Sequence, residues 1–164
     1  MLKNNGFTLI ELLITFSLFS VLFLAGAVFM SKEGRGQVLS TQALAVSGVA
    51  DEAFMKALQG KSLNDQGPYK FGVCFFGDTY RVFGTLSDYS SKEDALSQTF
   101  HLAQNLQFAN ANFENSCEGG SNNAVLFAAI SGEAGSGGSV YIQNIVSGEH
   151  STLSVSPSGL VLVE

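Results

Sequence analysis

The chain has 164 residues, a formal net charge of −6 at pH 7, 18 glycines, two prolines and no tryptophan. This length predicts one globular domain in addition to any anchoring segment. No Lys or Arg follows Lys92, whereas seven acidic residues do. This half of the chain therefore lacks the positive charge that binding to nucleic acid or anionic lipid requires, and no nucleic-acid partner is expected.

The first 30 residues contain a long apolar segment. After a polar head that carries Lys3, residues 7–30 form a run of 24 residues whose only charged residue is Glu11. A helix of this length spans roughly 36 Å at about 1.5 Å per residue, which is enough to cross a hydrocarbon core of about 30 Å. Such a helix is apolar nearly all round and suits lipid or a bundle of similar helices. The sequence therefore predicts a transmembrane helix over residues 7–30.

Glu11 is unusual in this setting, because a carboxylate at the bilayer centre costs at least about 2.5 kcal/mol. One interpretation is an interfacial acid that reaches the lipid headgroups. Another is an acid that pairs with a cation of a neighbouring molecule. A third interpretation takes the whole segment as a secretory signal cleaved at Ala25-Gly26-Ala27, although a charge is atypical of the apolar part of such a signal.

The letters GFTLIE at positions 6–11 resemble the processing site of type IV pilins and of the pseudopilins of type II secretion. In that family a prepilin peptidase cuts after the glycine, and the new N-terminal residue is methylated. The resemblance implies that residues 1–6 are a leader peptide, that cleavage falls between Gly6 and Phe7, and that Phe7 is N-methylated. It further implies that Glu11 pairs with the terminal amine of a neighbouring subunit during filament assembly.

The segment after the apolar run keeps a helical pattern. Small and aliphatic residues recur every three or four positions between Leu39 and Leu58, so residues 31–60 are predicted to continue the helix with an amphipathic character. Gly34 and Gly36 predict a kink or loosened turn within the helix. The polar run from Lys61 and then Pro68 predict where the helix ends.

Residues 61–164 are predicted to form a β-rich globular domain. A helix followed by consecutive strands predicts an α+β fold, with the long N-terminal helix packed on an antiparallel β-sheet. Residues 91–96 predict a helical turn, and the glycine-rich residues 131–138 predict a flexible hairpin loop. Aromatic and β-branched runs between turn residues predict strands at 69–76, 79–83, 99–102, 106–113, 124–130, 139–146, 152–156 and 160–163. An aromatic group is expected in the core: Phe71, Phe75, Phe76, Tyr80 and Phe83.

The C-terminal pattern, in residues 125–127, 138–142 and 153–161, resembles the GspH/FimT group of pilin-like proteins. The resemblance implies a minor pilin or pseudopilin, a structural subunit of a type II secretion pseudopilus or a type IV pilus. Its implied partners are other pilins or pseudopilins and the prepilin peptidase. It places the chain in the bacterial inner membrane through residues 7–30, with the globular domain outside the cytoplasm. A tip pilin acting as an adhesin or in DNA uptake is the alternative within the family.

Cys74 and Cys117 lie too far apart for a C-x-x-C motif. In an exported domain we expect a disulfide between them, with two unrelated thiols as the alternative. The loop it closes predicts a stabilisation of roughly 4 kcal/mol. His101 and His150 have no acids at metal-ligand spacing, and the chain has no P-loop or nucleophile elbow. The sequence therefore predicts no enzyme activity, cofactor or metal, and a secreted enzyme is the less favoured alternative.

Overall fold

The computed structural model describes residues 9–60, 67, 69–86, 96–117 and 122–164, with the backbone alone for residues 27–35 and 96. The predicted α+β fold is confirmed. The predicted helical turn at residues 91–95 lies outside the described residues, and Leu96 begins a strand. The elements are α1 Leu9–Leu58, β1 Lys70–Phe76, β2 Thr79–Thr85, β3 Leu96–His101, β4 Leu106–Phe113, β5 Ala124–Phe127, β6 Gly138–Asn144, β7 His150–Val155 and β8 Val161–Val163.

The chain forms two compact units, residues 1–37 and residues 38–164. Helix α1 continues through Gly34 and Gly36, so the prediction that these glycines do not stop the helix is confirmed. The kink predicted there stays a prediction. The second unit contains the C-terminal part of α1 together with the eight described strands.

One face of α1 supplies part of the hydrophobic core. Its buried residues follow the three- and four-residue steps of a helical stripe, as the sequence predicts. Most of them are alanines, and they share one core cluster with larger side chains of the strands, such as Phe71 and Phe127. On the solvent side, Lys56 and Glu52 form an ion pair with a distance of 2.7 Å between Nζ and Oε1. The buried stripe is Leu39, Ala43, Val46, Ala50, Ala53 and Ala57.

The strands form two four-stranded antiparallel sheets, with strand orders β3-β2-β1-β5 and β4-β6-β7-β8. The single sheet that the strand pattern predicts is thus replaced by two sheets. After β3 the short link through Asn105, which has a φ of 66°, takes the chain into the second sheet. An isolated bridge between Asn115 and Ala124 connects the end of β4 to β5. The alternation of residues along a strand specifies its buried face, but it does not specify which strand lies beside it.

Aromatic side chains join the two sheets. The ring of Phe75 in β1 lies 5.1 Å from that of Phe108 and 5.5 Å from that of Phe113, and both partners belong to β4. Of the five aromatic residues expected in the core, four are buried. Phe76 is the exception, with 52% of its surface exposed, because it follows buried Phe75 and points to the opposite face of the strand.

Strand β5 ends at Phe127, three residues earlier than predicted, because residues 128–130 form a turn against the end of α1. The backbone N–H of Ile130 donates to the carbonyl of Ala57 at 2.8 Å. Ala57 lies in the last turn of the helix, where carbonyl groups lack partners within the helix. The turn therefore caps α1, and Ile130 adopts a φ of 71° to do so.

The glycine-rich loop after this turn, expected to be a flexible hairpin loop, is tied to its surroundings by backbone hydrogen bonds. Ala134 N donates to the carbonyl of Pro157 at 2.9 Å. Gly132 and Gly159 have φ values of 71° and 86°, and a Cβ on either residue would collide with the ring of Phe54. Glycine at both positions therefore allows the loop and the β7–β8 turn to approach the helix closely.

Candidate assembly site in the N-terminal helix

The predicted site residues lie in different parts of the molecule. Gly6 and Phe7 fall outside the described residues, so the structure does not locate the predicted cleavage and methylation positions. Glu11 lies in the first turn of α1, and its side chain is exposed within the chain. Cys74 and Cys117 lie in the second unit, where they are bonded to each other.

Glu11 belongs to the first described turn of α1, and the residues before Leu9 lie outside the described ranges. The hydroxyl of Thr15 lies 3.0 Å from the carbonyl oxygen of Glu11 and 2.9 Å from that of Leu12, and it donates to them.

The other hydroxyl groups of this segment are bonded within the helix. Ser17 Oγ donates to the carbonyl of Ile14 at 2.8 Å, and Ser20 Oγ donates to that of Phe16 at 2.9 Å. An unpaired hydroxyl is costly in an apolar medium, whereas one that is bonded to its own backbone is tolerated. These three hydroxyl residues, Thr15, Ser17 and Ser20, can therefore enter lipid or a helix bundle without an external partner.

Apolar side chains surround this helical segment on all sides. Each is more than half exposed. The segment Leu9–Gly26 is long and apolar enough to cross a membrane. An apolar surface of this extent needs lipid or other helices around it. The exposed residues are Leu9, Ile10, Leu12, Leu13, Ile14, Phe16, Leu18, Phe19, Val21, Leu22, Phe23 and Leu24.

Residues 1–27 match the family model of the prokaryotic N-terminal methylation motif. The motif indicates a type IV pilin-like or pseudopilin-like protein that is processed by prepilin peptidase. Neither the curated proteins nor the solved structures contained a match to the chain. The pilin-type motif suggests assembly with other pilins, and together with the exposed apolar helix it is consistent with anchoring in the inner membrane.

The second unit carries a cross-link near a small secondary core. The Cys74–Cys117 disulfide joins β1 to the loop after β4, with the two Cα atoms 6.1 Å apart. Both cysteines are buried beside Phe83, Ala124 and Leu126. This cluster lies on the face of the first sheet opposite α1, and the cross-link holds the loop over it.

A residue that the sequence reasoning missed, Asn123, holds the same loop. Its side chain is 5% exposed; Oδ1 accepts from Cys117 N at 2.8 Å, and Nδ2 donates to the Phe75 carbonyl at 3.0 Å. Phe75 N in turn donates to the backbone carbonyl of Asn123 at 2.9 Å. The only signal in the sequence is an Asn directly before an apolar strand, in a polar loop with a cysteine.

A groove of about 350 Å³ lies between α1 and the first sheet. Phe71 and Val82 provide apolar surface, and Ser97 and Gln98 provide polar groups from β3. Lys56, which also lines the groove, is already paired with Glu52. The described residues that line the groove therefore offer a neutral, partly apolar surface, and no two of them form a pair suited to acid–base catalysis.

Two groups in the second unit titrate away from their usual range. Burial raises the pKa of the Asp51 carboxyl and that of the Tyr80 phenol, since desolvation disfavours the charged form of each. They lie on α1 and β2. Within the described ranges, no three or more His, Cys, Asp or Glu residues are grouped so that they could hold a metal ion.

Proposed function

We propose that the protein is a minor pilin or pseudopilin, a structural subunit of a type II secretion pseudopilus or a type IV pilus, and not an enzyme. The observation that carries the proposal is the combination in one helix of the methylation motif with a surface that is apolar all round. The methylation motif alone would support only cleavage by prepilin peptidase and N-methylation. The exposed apolar surface adds the physical need for a partner, which a filament of similar helices would meet.

The proposed mechanism has two stages. Before assembly, the apolar part of α1 lies in the inner membrane and holds the globular unit outside the cytoplasm. During assembly, contacts with lipid are exchanged for contacts with neighbouring helices, so the apolar surface is never exposed to water. Cleavage before Phe7 creates a terminal amine, and the carboxylate of Glu11 on an adjacent subunit compensates that charge in an apolar environment.

The minor role within the filament is supported by the C-terminal sheet. The segments that resemble the GspH/FimT group form β5, β6 and the β7–β8 hairpin. In that hairpin Ser156 N donates to the carbonyl of Leu160 at 2.9 Å, and Gly159 takes a positive φ. The apolar helix also lacks the proline that is common in the anchor of major pilins.

Intact-mass spectrometry of the membrane-extracted chain tests the proposal. In cells with an active prepilin peptidase we expect a mature chain that begins at N-methylated Phe7 and that also appears in sheared filaments. In matched cells without the peptidase, the uncut chain should remain in the membrane and be absent from filaments. A mature chain beginning at Val28, or an uncut chain in both strains, would contradict the proposal and favour an ordinary signal or anchor.

A further inference from the structure

Among the described strands, the two sheets have four edges, and these edges differ in how regular they are and in what is bridged to them. Ala124 of β5 is bridged to Asn115 on its outer side. The register of β4 shifts between Ala109 and Asn112, a bulge that interrupts the regular edge. Strand β3 follows directly on residues outside the described ranges. Strand β8 is a regular edge, and within the described residues no strand pairs with its outer side.

The hydrogen-bond pattern of β8 shows which backbone groups face outward. Thr152 and Glu164 exchange two backbone hydrogen bonds, at 2.8 and 2.9 Å. The register pairs Ser154 with Leu162, so in an antiparallel ladder Leu162 also directs its N–H and C=O groups toward β7. The alternate residues, Val161 and Val163, therefore direct their N–H and C=O groups away from the sheet.

Side chains along β8 alternate between the face of the sheet that packs on the core and the face that is exposed. Val161 and Val163 pack against the main core, and they are opposite Val155 and Leu153 of β7. Leu160 and Leu162 are 57% and 51% exposed. An unpaired backbone edge flanked by exposed aliphatic side chains is the combination that receives an added strand.

The acidic residues near β8 indicate the charge that a partner should carry. The acid Glu164 directly follows β8, and Glu149 directly precedes β7, whose residue Thr152 pairs with Glu164. Both side chains are exposed. No Lys or Arg occurs in the sequence after Lys92, so no cation from this part of the chain offsets these acids.

We propose that the outer edge of β8 is a β-strand addition site for an extended segment of another protein, with aliphatic side chains and basic flanks. The partner's backbone would bond to the N–H and C=O groups of Val161 and Val163, and its aliphatic side chains would cover Leu160 and Leu162. A Lys or Arg at its end would lie beside Glu164, at the end of the sheet that also carries Glu149. The site is independent of the N-terminal helix and does not rest on the proposed function.

A second copy of this chain fits the edge poorly. A second β8 strand would offer no Lys or Arg to the acidic end of the sheet, because the chain has none after Lys92. The described part of β8 also has only three residues, which limits the area that such a pair could bury. Self-association through β8 is therefore an outcome that would overturn the proposal.

The experiment uses the full chain in detergent micelles and two synthetic peptides. The basic probe has the sequence KTVTVTVK, and the acidic probe has the same core with glutamates in place of both lysines. Hydrogen exchange is read at single residues by NMR. We expect the basic probe to slow exchange at the amides of Val161 and Val163. The amides of Leu162 and Glu164 already bond to β7 and should change little, which makes them an internal control.

Two substitutions at one position separate strand addition from nonspecific apolar binding. Val163→Pro removes an outward N–H without removing a bond to β7, and edge strands tolerate proline. Val163→Ala loses comparable packing but keeps the N–H. We expect Val163→Pro to weaken binding of the basic probe at least about tenfold relative to Val163→Ala, a factor equivalent to about 1.4 kcal/mol.

Four results would overturn the proposal. The first is that millimolar basic probe leaves hydrogen exchange at Val161 and Val163 unchanged. The second is equal binding of the basic probe by the two Val163 variants, which would show that backbone pairing contributes nothing. The third is that the acidic probe binds as tightly as the basic probe or more tightly. The fourth is that the chain forms dimers that Val163→Pro abolishes.

Discussion

Asn123 and Phe75 are joined by two hydrogen bonds, one through the backbone and one through the side chain. Phe75 N donates to the carbonyl of Asn123 at 2.9 Å, and Asn123 Nδ2 donates to the carbonyl of Phe75 at 3.0 Å. Asn123 lies outside the named strands, yet it pairs with β1 as a strand residue would. Because Oδ1 also accepts from Cys117 N, one buried amide joins the disulfide loop to the first sheet.

Replacing Asn123 by Ala should destabilise the second unit. The change leaves Cys117 N and the Phe75 carbonyl without their side-chain partner, and each buried unsatisfied group costs about 1–3 kcal/mol. We expect a loss of about 2–4 kcal/mol in the free energy of unfolding, measured by denaturant titration of the full chain with the disulfide intact. Asn112→Ala, at an exposed position in β4, should change stability by less than about 0.5 kcal/mol. Equal losses of stability in the two variants would mean that the Asn123 amide does not stabilise the contact between the disulfide loop and the first sheet.

The cysteines should be oxidised in the exported protein. Alkylation under non-reducing conditions should label neither Cys74 nor Cys117, and reduction should expose both. The bond closes a loop with a sequence separation of 43, so replacing both cysteines by Ala should lower the free energy of unfolding by up to about 4 kcal/mol. Two labelled thiols in natively exported protein would show that the bond does not form there.

Replacing Glu11 by Val should separate membrane insertion from filament assembly. Insertion should be intact or improved, because an acid is removed from an apolar segment. Recovery in sheared filaments should fall at least about tenfold, since leaving one partner of a buried ion pair uncompensated costs about 3–5 kcal/mol. Ser20→Ala is the matched control, because its hydroxyl bonds only to Phe16 of the same helix. Wild-type recovery of Glu11→Val would identify Glu11 as an interfacial acid.

The full chain in detergent should not bind duplex DNA at physiological salt. Nonspecific affinity comes from Lys and Arg contacts with phosphates, and this chain carries none after Lys92. In the second unit the cations whose positions are described, Lys56, Lys70 and Arg81, lie on three different elements. Fluorescence-anisotropy titration is the measurement. Salt-sensitive binding in the micromolar range would instead favour the tip-pilin alternative with a role in DNA uptake.

The local elements of this fold could be predicted from the sequence. The apolar run and the three- and four-residue steps from Leu39 to Ala57 are patterns within one helix. They depend only on residues that are neighbours along the chain. Each of the eight described strands overlaps a predicted run, but β3 begins at Leu96, three residues before the run predicted at 99–102, and β2 extends two residues beyond its predicted end at Phe83. The predicted β5 is three residues too long for a nonlocal reason. Residues 128–130 form a turn in which Ile130 N donates to the carbonyl of Ala57 at the end of α1.

By itself, the sequence determined the apolar helix with Glu11 near its start, the methylation motif, and the order of helix and strands. These features are local, since each depends on the chemistry of a short segment. Only the tertiary structure decided that the strands divide into two sheets, that Asn123 holds the disulfide loop on Phe75, and that no described strand pairs with the outer side of β8. Those features depend on which distant segments meet, and the alternation of residues within a strand carries no information about its neighbour.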